Sequence, residues 1–230
     1  MTSSNTIQMV VFDMAGTTVD EGNVVYKTLQ QVVNKYGGDF SLETALEQGG
    51  GKEKRQAIED LLTTIVQKAD LNQRVDMAFA EFKEDLAAAY ADLKVLPCPG
   101  TEALFAFLRQ QGIRVVLNTG YNEATARSLL DKLTWTIGQD IDLLVTADMV
   151  NNSRPAPDMI VFAMKKLGID DSGAVAKIGD TAIDIEEGRS AACGLLVGIT
   201  TGAQTREQIA SAQPHYIIDD LSEFPALLGH

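Results

Sequence analysis

From Ile113 to the end of the chain, short apolar runs alternate with segments of helical spacing, and this alternation restricts the fold more than any other feature. Ile113 to Leu117, Leu143 to Thr146, Ala174 to Ile178, Leu195 to Ile199 and Tyr216 to Ile218 read as strands. Asn122 to Leu133, Asp158 to Leu167, Ile183 to Ala192 and Arg206 to Ala212 read as helices, and Leu221 to Leu228 as a closing helix. Thr101 to Gln110 is a further helix ending at Gly112, and Met9 to Phe12 an N-terminal strand that runs into Asp13. Strands that alternate with helices of this length predict an α/β protein with a doubly wound parallel sheet, buried on both faces.

The stretch from Gly22 to about Lys94 breaks this rhythm. Helices are expected from Asn23, as a cap, to Tyr36; from Ser41 to about Glu47; from Lys52 to Thr64; and from Gln73 to Leu93. Val24, Val25, Leu29, Val32 and Val33 form the apolar face of the first. Ala57, Ile58, Leu61, Leu62 and Ile65 form that of the third, and Val75, Phe79, Phe82, Leu86 and Tyr90 that of the fourth. Gly49-Gly50-Gly51 is a flexible break, and Pro97-Cys98-Pro99-Gly100 marks the return to the alternating pattern. The expected organisation is a core of residues 1–21 and 95–230 carrying a helical cap of residues 22–94.

Composition narrows the partners. The hydrophobic fraction of 45% supports a sizeable core in 230 residues. A net charge of −13 disfavours nucleic acid, and the one basic cluster is Lys52-Glu53-Lys54-Arg55. No apolar run approaches membrane-spanning length, and the N-terminus lacks a signal pattern, so a soluble cytoplasmic protein is expected. Cys98 and Cys193, far apart, read as buried free thiols.

Polar groups fall at or just after the predicted strand ends: Asp13; Thr119 with Gly120; Arg154; and Asp180 with Asp184. Ligands of open parallel sheets gather at such ends. Asp13-Met-Ala-Gly-Thr-Thr-Val-Asp20, Thr119-Gly-Tyr121, Arg154-Pro-Ala-Pro157 and Gly179-Asp-Thr-Ala-Ile-Asp184 resemble, in order, the four motifs of the haloacid dehalogenase superfamily. The resemblance covers nearly the whole chain and implies a Rossmann-like core with an inserted cap. It implies that Asp13 attacks phosphorus to form an aspartyl-phosphate. Asp13, Asp180 and the carbonyl of Ala15 would hold Mg²⁺, with Asp184 orienting a bound water or a neighbouring side chain. Thr119 and Gly120 would bind phosphoryl oxygens, and Arg154 would pair with phosphate or with Asp13, where lysine is commoner in the superfamily.

Ala15 departs from most phosphatases of that superfamily, which place a second Asp there to protonate the leaving group. The same octapeptide resembles the subgroup around phosphonoacetaldehyde hydrolase, where a cap lysine makes an imine and the leaving group departs as an enamine. Lys52, with Lys54 second, is the expected candidate for that lysine. Glu53 between them would favour their charged form, and solvated helix-start charges or a non-covalent substrate contact are the other readings of the pair. The functional expectation is a Mg²⁺-dependent hydrolase of a small phosphonate or phosphate. The alternative is an ordinary phosphomonoesterase without Schiff-base chemistry. Ala15 argues against a phosphomutase and the Asp180/Asp184 pair against a metal-free dehalogenase. A dead binding protein would not need Asp13, Thr119, Arg154 and Asp180 together. The cap helices offer a surface for a homodimer.

Overall fold

The structure is a computed structural model that describes residues 6–91 and 93–228. Its first strand, β1 (Met9–Asp13), is wholly buried and ends on the expected carboxylate. The chain then turns through Gly16 into β2 (Val19–Asp20), which pairs antiparallel with β3 (Leu96–Pro97), Val19 opposite Pro97 and Asp20 opposite Leu96. So short a ribbon carries no periodicity and leaves no strand signal in the sequence. Four helices lie between its strands: α1 (Val24–Lys35), α2 (Leu42–Gly49), α3 (Lys54–Thr63) and α4 (Leu71–Ala91).

Their packing follows the expected faces with informative shifts. Asn23 does not cap α1: it is left-handed at φ 58 with no side-chain cap, and the Glu21 carboxylate accepts from Val25 N at 3.0 Å instead. Helix α3 begins at Lys54 rather than Lys52, because Glu53 is its N-cap and accepts from the Arg55 and Gln56 N–H groups. Ile65 lies beyond the end of α3 and is 44% exposed, whereas Ala57, Ile58, Leu61 and Leu62 are fully buried. On α4, Val75, Phe82, Leu86 and Tyr90 are buried, but Phe79 is only half-buried.

Beyond β3, strands and helices alternate: α5 (Thr101–Gln110), β4 (Arg114–Thr119), α6 (Glu123–Leu133), β5 (Leu143–Thr146), α7 (Asp158–Leu167), β6 (Val175–Gly179), α8 (Ala182–Ser190), β7 (Leu195–Ile199), α9 (Arg206–Ser211) and β8 (Tyr216–Ile218). The closing helix is shorter than expected: Leu221–Glu223 forms a 3₁₀ turn before α10 (Phe224–Leu227), with Pro225 in its first turn, where a missing N–H costs nothing.

The six longer strands form one parallel sheet in the order β5-β4-β1-β6-β7-β8. Period-two alternation sends Val10, Phe12, Val115, Leu117 and Ile178 to one face, against Leu104, Phe105, Leu108 and Leu129 of α5 and α6. Met9, Val11, Val116 and Val175 face Met159, Ile160 and Ile185 of α7 and α8 on the other. The doubly wound α/β architecture is therefore as expected. Cys98 and Cys193 are free and buried. No described helix is long and apolar enough to cross a membrane.

The register sets the site. Asp13 stands opposite Asn118 of β4, and Phe12 opposite Ile178 of β6. The carboxyl ends of the three central strands thus lie side by side, with Asp13 between Thr119 and Asp180.

Candidate active site

Three carboxylates converge where β1 and β6 end. Asp13 closes β1, Asp180 follows β6, and Asp184 sits in the first turn of α8; one oxygen from each lies within 4.8 Å of the others. Burial pushes the Asp13 carboxyl up, against the pull of Arg154. Burial, then the charges of Asp13 and Asp184, push Asp180 up to about 8. Burial also works against the charge of Asp184, yet Arg154 and Lys177 hold its carboxyl below the usual range. Asp180 is fixed by Thr17 Oγ1, which donates to Oδ1 at 3.1 Å, and by Ala203 N, which donates to Oδ2 at 2.6 Å. A Cβ on Gly202 would fall 2.0 Å from Asp180 Oδ2, so only glycine lets this loop close over the cluster. Hard oxygen donors, crowded like charges and two carboxyls that resist ionisation fit a small divalent cation.

Behind the carboxylates lies a buried polar network. Arg154 Nη1 is 2.8 Å from Asp13 Oδ1 and 3.0 Å from Asp184 Oδ1; its Nε is 3.0 Å from Glu187 Oε2. Its Nη2 donates to the main-chain and side-chain oxygens of Asn118, both at 2.8 Å. Of the two partners expected for Arg154, the structure shows Asp13. Lys177 Nζ lies 2.9 Å from Asp184 Oδ1, 3.3 Å from Glu187 Oε2 and 2.7 Å from Asn118 Oδ1. Asn118 Nδ2 donates to Glu187 Oε1 at 2.7 Å. Sequence reasoning missed Asn118, Lys177 and Glu187. The available signal was a lone lysine inside the apolar run of β6, a residue type that is buried only when paired.

The loop after β4 faces the helical insertion. Thr119 Oγ1 accepts from Tyr121 N at 3.2 Å. A Cβ on Gly120 would meet the Lys52 carbonyl oxygen at 2.9 Å, so glycine permits the close approach of the loop before α3. Between them a cavity of about 10 Å³ is walled by Asp13, Ala15, Thr119, Gly120, Arg154 and Lys54, with Tyr26 and Tyr121 completing it.

The two candidate lysines part here. Lys54 is 7% exposed, and its Nζ donates to the carbonyls of Lys52 at 2.8 Å and Gly49 at 3.3 Å, 5.1 Å from the centre of the Tyr26 ring. Burial lowers its ammonium to about 8; Asp13 works the other way and Arg154 adds to the lowering. Glu53 favours the charged form, as expected, but burial outweighs it. Lys52, expected first, turns out of the cavity to Asp60, 2.6 Å away. Of the two, it is Lys54 that lines the small cavity together with Asp13.

A larger cavity of about 440 Å³ shares Lys54, Gly120 and Tyr121 with the small one and runs along α4 past Phe79, Phe82 and Leu86. Tyr90 donates to Glu21 Oε2 at 3.1 Å, and its oxygen is 3.0 Å from that of Tyr121.

Known proteins share this architecture. The chain is 30% identical to a phosphonoacetaldehyde hydrolase of Parabacteroides distasonis, across 96% of both chains. It is 28% identical to IndB of Dickeya dadantii, described as a probable phosphatase, across 94% of this chain and 90% of that one. A phosphonoacetaldehyde hydrolase-like protein from Oleispira antarctica has the same fold, with a TM-score of 0.83 at 23% identity over 98% of this chain and 92% of the other. The haloacid dehalogenase-like hydrolase family model matches residues 7–192, and with the carboxylate cluster at the ends of β1 and β6 this places the chain in that family of hydrolases.

Proposed function

We propose that the chain is a Mg²⁺-dependent, phosphonatase-like hydrolase of a small phosphonate or phosphate, acting through an aspartyl-phosphate on Asp13, with residues 22–94 as its cap. The observation that carries this reading is the meeting of Asp13 and buried Lys54 across one small cavity in which position 15 is alanine. Asp13, the carbonyl of Ala15 and Asp180 would hold the cation, and Asp184 would orient the groups around it; when bound, the cation offsets the charge of the phosphoryl group. The Thr119 hydroxyl and the Gly120 N–H take phosphoryl oxygens. Arg154, already paired with Asp13, Asp184 and Glu187, aims the nucleophile.

Asp13 attacks phosphorus as the bond to the leaving group breaks, and water then hydrolyses the acyl phosphate. With a carbonyl-bearing phosphonate, the Lys54 amine adds to the carbonyl, water leaves, and the resulting protonated imine takes up the electron pair of the breaking C–P bond as an enamine, which is then protonated on carbon and hydrolysed by water to release the carbonyl product and free Lys54. Burial of Lys54 supports this, because it brings a free amine within reach of neutral pH.

A lowering only to about 8 also supports the phosphomonoesterase alternative, since most of Lys54 is then still ammonium at pH 7 and can protonate a leaving alkoxide. One experiment separates the two. Phosphate release is measured from phosphonoacetaldehyde and from a panel of phosphomonoesters, with borohydride trapping and peptide mapping. The expected result is C–P cleavage with an adduct on Lys54. Ester turnover without any adduct would sink the Schiff-base reading, and no release from any compound would sink the hydrolase mechanism itself.

A further inference from the structure

We propose that the 440 Å³ cavity beside Lys54 is a leaving-group pocket selective for substrates whose phosphoryl head carries an apolar body about the size of a phenyl ring. This rests on the reading of Asp13 and its neighbours as the phosphoryl site.

The cavity is placed for that role. It shares Lys54, Gly120 and Tyr121 with the chamber at Asp13, so a group bound to phosphorus there extends past Lys54 into the larger space. A two-carbon aldehyde would leave most of it empty: an enclosed apolar cavity of about 150 Å³ already accepts benzene.

The walls specify the chemistry. Phe79, Phe82 and Leu86 supply the apolar side from α4, one helical turn apart, and Phe79 and Phe82 stack with ring centres 6.5 Å apart. Phe79 stays half-buried although it continues the core stripe of α4, because it fronts the cavity. The Lys83 ammonium also lines the space, 4.9 Å from the centre of the Phe79 ring, and several of the other polar groups are engaged elsewhere. Glu53 accepts from Arg55 N and Gln56 N, and Asp148 from Thr146 Oγ1 and Glu123 N. The Asn122 oxygen accepts from Thr125 N, and the Tyr121 hydroxyl is held by Tyr90. A ring would replace water against three apolar side chains, a gain that a sugar or polyol does not make there.

The test compares binding of benzylphosphonate and methylphosphonate to the intact protein with Mg²⁺, by calorimetry, beside phosphate release from benzyl and ethyl phosphate. The expected result is roughly tenfold or greater preference for the benzyl compound in binding. The preference is expected to shrink in Phe79→Ala, which removes a wall, and in Ala147→Phe, which fills the space. Equal binding of the two phosphonates by the wild-type protein overturns the pocket while leaving the phosphoryl site intact. A benzyl preference without turnover of either ester supports the pocket and removes the phosphomonoesterase alternative. Failure of both phosphonates to bind overturns both.

Discussion

Lys54 Nζ lies 2.8 Å from the main-chain oxygen of Lys52, so the lysine that enters the cavity is held by the backbone of the lysine that leaves it. Two residues apart around the N-cap of α3, their side chains diverge, one into the cavity that Asp13 also lines and one to Asp60. This local geometry gives the pair different surroundings and different mutational costs.

The first prediction concerns pH and Lys54. Its ammonium gives up its proton near 8 in the folded protein and at about 10.4 in an unfolded chain. Between these values the unfolded state binds more protons, so this residue makes stability rise with pH across that window. Urea denaturation at pH 7.5 and pH 9.5 should show the rise in the wild type and its loss in Lys54→Met. Equal slopes for the two proteins would show that Lys54 titrates like an exposed lysine.

A second prediction uses Asp180, whose folded carboxyl is pushed up to about 8. Here the folded state binds more protons than the unfolded chain from about pH 4 to 8, so with chelator present this group makes stability fall as pH rises. Mg²⁺ should reverse much of that fall, and its stabilising effect should be larger at pH 8.5 than at pH 6. Scanning calorimetry with Mg²⁺ and with EDTA checks this. An Mg²⁺ effect independent of pH would separate the cation from Asp180, and full turnover in EDTA would rule out its catalytic part.

Asp13→Asn is expected to abolish turnover, by at least roughly a thousandfold, while the protein stays folded. Arg154 keeps Asp184 and Glu187 as partners, and one of three crowded carboxylates becomes neutral. Circular dichroism checks the fold, and phosphate release the activity after deamidation is excluded by mass spectrometry. Appreciable residual turnover would move the nucleophile elsewhere.

Lys177→Met and Lys52→Met form a contrasting pair. The first leaves Asp184 and Glu187 buried with Arg154 as their remaining cation and should cost about 3–5 kcal/mol. The second breaks a part-exposed pair with Asp60 and should cost no more than about 1 kcal/mol. Denaturation midpoints decide. Comparable losses would mean that the Lys177 network is wetter than its burial indicates.

The strand ends were legible because burial on both faces turns each parallel strand into an apolar run, so the first polar residue after it stands out. Asp13 and Asp180 are such residues, Thr119 follows one position later after Asn118, and the structure sets the three strand ends side by side. Lys177 and Glu187 were hidden for the complementary reason, each being polar within an element, and Asn118 because its partners Arg154, Lys177 and Glu187 lie 36 or more positions away along the chain. The choice between Lys52 and Lys54 turned on where α3 begins. Two helix starts two residues apart point different side chains inward, and only the Glu53 cap decides between them. Phe79 was assigned to the core by helical spacing, which identifies the apolar face of α4 but cannot tell a packed neighbour from a cavity.

The ribbon of β2 and β3 bears on how such a chain can change over time. Because Asp20 stands opposite Leu96, the helical insertion leaves the sheet and returns to it through a neck already fastened by strand pairing. To the parallel sheet, everything beyond that neck is a loop with its ends joined. The entropy of joining a loop grows only with the logarithm of its length, about 0.6 kcal/mol per doubling. Helices can therefore be added, lost or exchanged beyond Asp20 at little cost to folding of the sheet. The chemistry at the strand ends and the choice of what reaches it can then be inherited separately, with the ribbon as the seam between them.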